Sequence, residues 1–419
     1  MDHRRTVSGI WGLLLGSWVG FQGGAGLIAE TATGETAKFR VEPIAEDIGI
    51  GYGIAVVDMD ADRRLDVVLV DKQVIAWYRN PDWERFVVVE GLTEHDHVCV
   101  AARDIDGDGK AELAAGAGWN PGDTIASGSL HYLIPGRDRR ARWGRQRLPH
   151  EPTVHRMRWL AGPHGPLLIV APLHGRANQK GAGEGVKLLA YRPPTEAAAG
   201  AGTPLGASGT DWSAELIDSN LHMTHNVDPV QWDDDPEEEL LVIGREGWFV
   251  FDRRADGWWG RQLGRNPGHP EHRGGSEVRL GRCRGGSRFV ATVEPFHGST
   301  LAVYTPSSES SSALWTRRVV DGSLNAAHAV ACGDVDGRDG DEIVVGWRSP
   351  DADGKVGLRL YTAEDSRGER WRRTTVDDNT MACEDLRLAD LDGDGRLDIV
   401  AAGRATHNLV IYWNESTTP

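Results

Sequence analysis

The chain has 419 residues, enough for one large domain or two to three ordinary ones, and its 40% hydrophobic content supports a packed core. Fifty-three glycines favour many tight turns over long helices. A net charge of −16 argues against nucleic acid and anionic membranes as partners.

Residues 1–29 read as an export signal. Arg4 and Arg5 precede an apolar run from Val7 to Phe21, and small residues then lead to Leu27-Ile28-Ala29. A single anchoring helix is the alternative, because the Ala-x-Ala cleavage pattern is imperfect. No later segment is long and apolar enough to span a bilayer. The mature protein is therefore expected to be soluble and secreted or periplasmic. Export permits disulfides. Cys99, Cys283, Cys332 and Cys383, however, each fall in the inner strand of a different repeat and are read as buried free thiols.

From residue 37 to 415 one unit recurs seven times. An aromatic residue opens a short strand at Phe39, Trp83, Trp143, Trp212, Trp259, Trp315 and Trp371. After each come a polar turn, an apolar strand, an acidic or glycine-rich loop and a second apolar strand. A third strand often follows, as in Val74-Ile-Ala-Trp-Tyr78 and Leu409-Val-Ile-Tyr-Trp413. Short alternating strands without helix-period segments predict an all-β fold. Four antiparallel strands in each of seven units predict a seven-bladed β-propeller. The phase supports closure, because the strand at Phe39 can complete the last blade. A pair of β-sandwiches would not explain seven copies in one phase. The third unit carries the largest insertion, Arg176 to Thr210, whose second half is a low-complexity surface loop rather than a domain boundary.

The acidic loops vary in quality. Two are complete: Asp104, Asp106, Asp108 and Glu112, and Asp390, Asp392, Asp394 and Asp398, at positions 1, 3, 5 and 9. Oxygen ligands at that spacing suit structural Ca2+. The loop from Asp58 to Asp66 keeps its carboxylates but loses its glycine. Arg338 stands where the third ligand of the Asp334 loop belongs, and the loop after Gln231 is more degenerate still.

Titratable side chains recur six residues before these loops: Tyr52, His225, His328 and Glu384, with His155 in the third unit. The second unit offers His97, one residue off register, and the fifth offers Glu277. The innermost strand of a blade lines the axial channel, and the second strand returns to the same end. There the sequence places His174, Arg245, His297, Arg348, Arg404 and His407. A concave mouth lined by such groups is the expected site. His3, His131, His150, His164 and His269 are read as ordinary surface residues, and the tryptophans opening outer strands as packing residues.

The acidic loops resemble the FG-GAP or VCBS repeats of integrin-type propellers. The segments Glu294-Pro-Phe-His-Gly298, Ser276-Glu-Val-Arg-Leu-Gly281, Met381-Ala-Cys-Glu-Asp385 and Gly403-Arg-Ala-Thr-His-Asn408 resemble the propeller domain of the aldos-2-ulose dehydratase family. That resemblance implies a carbon–oxygen lyase acting on a keto-sugar such as 1,5-anhydrofructose. Cupin-type domains follow the propeller in the family's fungal enzyme and serve an isomerisation step. The sequence to Pro419 shows none, so only the dehydration half is carried over. Dehydration next to a carbonyl needs a proton acceptor, a group to protonate the leaving hydroxyl, and stabilisation of an enolate. The expected metal ligands are His155, His225, His328 and His97. Glu384 or Glu277 would be base or further ligand, and His174, His297 and His407 acid or base. Tyr52, Arg245, Arg348 and Arg404 would hold the sugar. Zn2+ suits an imidazole-rich set, whereas Mn2+ or Mg2+ would need more oxygen ligands. A lyase acting on a uronate polysaccharide and a non-catalytic carbohydrate- or protein-binding propeller are the competing expectations.

Overall fold

A computed structural model describes residues 37–194, 212–233, 235–265, 274–307 and 313–416. The expected export signal, His3, His269 and residues 195–211 lie outside them. Within the described residues the chain forms strands β1 to β28, arranged as seven four-stranded sheets with antiparallel pairing throughout.

The innermost strands of blades one to seven are β2 (Gly53–Val57), β6 (Cys99–Arg103), β10 (Val154–Leu160), β14 (Thr224–Val230), β18 (Glu277–Arg282), β22 (Ala327–Gly333) and β26 (Cys383–Ala389). Each neighbours the next, and β26 neighbours β2, so the ring closes. The last blade is completed by the first strand: β1 (Phe39–Ala45) pairs with β28 (Asn408–Asn414), with Phe39 opposite Asn414 and Val41 opposite Tyr412. The propeller and its closure are as the repeat predicted.

Position within a blade explains composition. Second strands such as Leu167–Pro172 and Glu239–Gly244 are buried along their whole length. Neighbouring blades cover both faces, so the residues run continuously apolar instead of alternating. Outer strands such as Thr316–Asp321 are largely exposed and polar. Large rings fill the space between blades, including Trp77, Trp248, Tyr304, Tyr361 and Tyr412, all buried. The four cysteines are unpaired thiols, with Cys332 half-buried and the others buried. A Cβ on Gly116, the strand partner of Cys99, would come within 2.6 Å of its sulfur, so the thiol fills the space that glycine leaves.

Two expectations change. The proposed insertion from Arg176 to Thr210 is not continuous, because Leu188–Arg192 is the third strand of blade three. His131 is not a surface residue. It is buried in the third strand of blade two, with Nε2 3.1 Å from the Ser129 hydroxyl.

Candidate active site

Four blades start their inner strand with a β-bulge. In β10, Val154 faces Pro172 and Arg156 faces Ala171, which leaves His155 as the extra residue. The same shift leaves His225 extra in β14, His328 in β22 and Glu384 in β26. A bulge turns its extra side chain away from the regular pleat. Blade five has no bulge: Glu277 pairs directly with Val293.

The bulged residues are then fixed by one repeated bond. His155 Nδ1 donates to the carbonyl of His225 at 3.1 Å, His225 Nδ1 to that of Ser276 at 2.7 Å, and His328 Nδ1 to that of Glu384 at 2.6 Å. A carbonyl can only accept, so each Nδ1 carries the proton and each Nε2 keeps its lone pair. The acceptor in blade five is Ser276, which therefore holds the position expected for Glu277. Without the bulge, the register in that blade moves by one residue.

His297 enters from the corner after the second strand of blade five. Its Nε2 lies 2.7 Å from His225 Nε2. One ring nitrogen from each of His225, His297 and His328 falls within 4.8 Å of the others. His155 stands edge-on to His225, with ring centroids 4.5 Å apart. Burial first, then the Arg156 guanidinium, holds the protonation of His155 and His225 well below the ordinary imidazole range. Burial and Arg348 do the same for His328, and burial with His225 and Arg348 brings His297 down to about 2. All four rings are neutral at pH 7. Three converging imidazoles, two with their tautomer fixed by a backbone acceptor, fit a divalent metal that favours nitrogen donors.

Beside them, the buried Glu384 accepts from Arg348 Nη1 at 2.7 Å and from Arg404 Nη1 at 3.0 Å. Both oxygens are engaged, so the carboxylate holds two guanidinium groups rather than standing ready as a base. Arg348 Nη2 also reaches His297 Nδ1 at 3.3 Å. Glu277 lies one residue past the ring. One of its oxygens is 3.3 Å from His225 Nδ1 and the other accepts from the Asn226 amide. Burial pushes its carboxyl up, against the pull of Arg156 and Arg279. Tyr52 donates its hydroxyl to Asp96 at 2.8 Å, and Arg404 lies over its ring.

Other expected residues go elsewhere. His97 is buried, and its Nε2 accepts the Leu92 backbone N–H at 3.1 Å, which binds it to its own loop instead of to the imidazole group. His407 is exposed, and its Nδ1 donates to the carbonyls of Ile48 and Gly49 at 3.0 and 2.9 Å, tying the blade-seven corner to blade one. His174 and Arg245 line a separate cavity of about 560 Å³ that shares Phe296 with the histidines.

The acidic loops lie at the far end of the inner strands, roughly 20 Å away at about 3.3 Å per residue. Carboxylate oxygens of Asp104, Asp106 and Asp108 gather within 4.8 Å of one another, as do those of Asp58, Asp60 and Asp62. Asp390 accepts the N–H groups of Gly393 and Gly395, Asp392 that of Asp394, and Asp394 the guanidinium of Arg396. Asp398 accepts the N–H groups of Leu391 and Asn414, and Glu112 accepts that of Ile105. These buried carboxylates brace the loop's backbone, as Asp390 also does, and at the same position Glu239 and Glu342 gather with the aspartates of their own loops.

Sequence reasoning missed a belt of charge below the histidines. Three residues after His155, His225 and Glu384 come Arg158, Asp228 and Arg387, and Arg279 stands at the matching place three residues after Ser276. Arg387 pairs with Asp385 at 2.7 Å and Arg279 with Asp228 at 3.8 Å. Burial, with Arg387 and Arg279 nearby, brings Arg158 down to about 9. The constant three-residue offset was the available signal.

Residues 127–307 match the family model described as aldos-2-ulose dehydratase, beta-propeller domain, and residues 36–115 match an FG-GAP-like repeat. The first match includes His155, His174, His225 and His297 but ends before His328. Aldos-2-ulose dehydratase of Phanerodontia chrysosporium is 28% identical over 192 residues, which take in 39% of this chain and 21% of that protein. Similar folds occur in a chain of the mitotic checkpoint complex (TM-score 0.52, 12% identity, 95% of this chain and 99% of that one) and in BBS1N in complex with ARL6DN (0.52, 13%, 91% and 97%). The Cps50 (Swd1) β-propeller domain of Myceliophteria thermophila is a further case (0.50, 11%, 90% and 100%). At such low identity these structures speak for the propeller alone. The chain is thus similar to the aldos-2-ulose dehydratase β-propeller domain over residues 127–307 and to an FG-GAP-like repeat over residues 36–115.

Proposed function

We propose that this chain is an exported carbon–oxygen lyase that removes water from a keto-sugar by metal-assisted β-elimination. The observation that carries the reading is the meeting of His225, His297 and His328 from three blades, neutral and with ring nitrogens within 4.8 Å. The relative's name is that of a dehydratase, although this chain spans about a fifth of its length.

His225, His297 and His328 would hold the ion, and three imidazoles favour Zn2+. When bound, such an ion polarises a carbonyl oxygen and stabilises negative charge on it. The chain's own groups do the rest. Arg348 and Arg404, held by Glu384, offer N–H donors to the sugar's oxygens. The proton acceptor would be His174, whose ring lines the adjoining cavity beyond Phe296 and is kept neutral by burial. A proton leaves the carbon next to the carbonyl, the β-carbon–oxygen bond breaks, and the hydroxyl departs as water to give an enone. Base catalysis of this kind contributes roughly 10²–10⁴-fold. Ca2+ in the loops around Asp104 and Asp390 would be structural.

The test is to measure bound metal in the purified chain, then follow enone absorbance with 1,5-anhydrofructose and a 3-keto-glucoside. We expect a new chromophore in the metal-loaded protein. His328→Ala should lose it together with at least tenfold in metal affinity, while its melting temperature changes little. A metal-loaded protein that is inert on both sugars would refute the lyase assignment.

A further inference from the structure

Next to the histidines lies the cavity of about 560 Å³ that also holds His174. Its walls come from four blades: the loop at Pro121–Thr124, the loop carrying Asn178 to Lys180, the corner with Met223 and Arg245, and Pro295 with Phe296. Clefts of roughly 300–1,000 Å³ take drug-sized ligands, so the space exceeds what one sugar ring fills.

Its charge runs against the rest of the molecule. In a chain of net charge −16, no Asp or Glu lines this cavity, whereas Lys180 and Arg245 do. Among the described residues neither cation has a carboxylate in ion-pair contact. Of the acids near the cavity, Glu246 accepts from the N–H and ring of His222 through one oxygen while its other oxygen is buried without a partner, and Asp123 accepts from the N–H groups of Ile125 and Ala126.

The cations are placed by a braced loop. Asn178 is fully buried, and its amide donates to the carbonyls of Glu184 and His222, each at 2.9 Å, while its oxygen accepts from Gly181. Ala177 is tied to Thr124 of blade two at 3.0 Å. The Arg245 guanidinium lies on this loop and donates to the Lys180 carbonyl. Gly181 has φ +83, and a Cβ there would collide with that guanidinium. The opposite wall is apolar. Phe296 is edge-on to His225 at 5.3 Å, so a single ring bounds both the histidines and the cavity.

We propose that this cavity seats an acidic sugar residue, bearing a carboxylate or a sulfate, that is glycosidically joined to the sugar reacting at the histidines. The proposal rests on the lyase reading for the second sugar only. The acidic group meets Arg245 and Lys180, and the sugar's apolar face lies against Phe296 and Met223. The natural substrate is then an acidic disaccharide or longer chain rather than a free neutral monosaccharide.

The experiment measures binding calorimetrically on the full chain with three unreactive probes: cellobiose, a glucuronate-containing disaccharide and a sulfated disaccharide. At least one acidic probe should bind about tenfold or more tightly than cellobiose, and the advantage should shrink as salt rises. Arg245→Gln should remove most of it. Lys180→Gln, on an exposed loop position, gives a second reading in a variant that keeps its fold. Equal binding of all three probes, no binding of any, or an undiminished preference in both variants overturns the proposal. Whichever acid wins identifies the group. Because no turnover is needed, a chain that prefers acidic probes but forms no enone even from a keto-sugar joined to that acidic residue refutes the lyase reading and keeps the cavity's assignment.

Discussion

His297 differs from the other imidazoles of the site in where its proton sits. His225 and His328 spend their Nδ1 protons on carbonyls. His297 Nδ1 faces Arg348, which can only donate, so its proton must be on Nε2 and point at His225 Nε2, 2.7 Å away. A metal entering through these nitrogens has to move that proton to Nδ1 and turn Arg348 away, because a neutral imidazole keeps one ring proton when it binds. Uptake by the metal-free chain at pH 7 should therefore release no proton from the rings, read from binding heats that stay the same in buffers of different ionisation enthalpy. Release of about one proton would show that one of the rings starts out protonated. Away from the site, burial, with Arg145 and Arg147 adding, lowers His131 to about 4. The unfolded value is about 6.5. The contribution to stability is thus complete above pH 6.5 and is lost as the pH falls towards 4, by about 2 kcal/mol at pH 5. Denaturation midpoints at pH 7.5 and 5 should differ less in His131→Gln than in the parent. An equal loss in both would show that another group sets the slope.

At the scale of strands, two devices repeat, and they differ in how visible they are in sequence. The first is the bulge. The six-residue spacing to the acidic loop marked His155, His225, His328 and Glu384, because a bulge of constant length keeps that count. It misplaced Glu277, because blade five lacks the extra residue and nothing in Ser276-Glu-Val-Arg announces this. His297 was visible as a rim residue but not as a partner of His225, since it arrives from a corner whose direction only the closed ring fixes. His97 and His407 carried the right chemistry, yet nearby backbone N–H and carbonyl groups claimed their nitrogens. The second device is a stitch that sequence showed only as a fourth acidic position. Asp66, Glu112, Glu239, Glu342 and Asp398 each accept the N–H of the residue after the loop's first position. Asp398 also takes the N–H of Asn414, whose amide crosses to the Val335 carbonyl of the next blade at 2.8 Å. Asp398→Asn puts an amide NH2 where one of two backbone donors was satisfied. A buried donor without its acceptor costs about 1–3 kcal/mol, so urea unfolding should weaken by that amount. If the loss appears only with Ca2+ present, Asp398 is a ligand after all.

For the molecule as a whole, the question is what holds a ring of separate sheets closed. The seventh blade joins the two ends of the described chain. β1 pairs along its length with β28, Glu415 N–H reaches the Lys38 carbonyl at 2.9 Å, and Trp413 Nε1 donates to Glu42 at 2.7 Å. Most of β1 is nonetheless exposed or half-exposed. Its backbone bonds yield about 1 kcal/mol each, and ordering each residue costs about 1–2 kcal/mol. These terms nearly cancel, so β1 adds little to the equilibrium stability of the ring. Its larger effect is to cover β28, whose run Leu409 to Trp413 is buried and would otherwise present an open edge. Open apolar edges recruit other strands. A chain beginning at Glu46 should therefore retain its β-sheet circular dichroism and most of its melting temperature when dilute. It should self-associate as its concentration rises, and a peptide spanning Ala37 to Ala45 added in excess should restore the monomer by sedimentation. Should the truncated chain instead unfold outright, the pairing of the ends supplies stability that the near-cancellation denies. Should it stay monomeric at every concentration, the edge of β28 needs no cover.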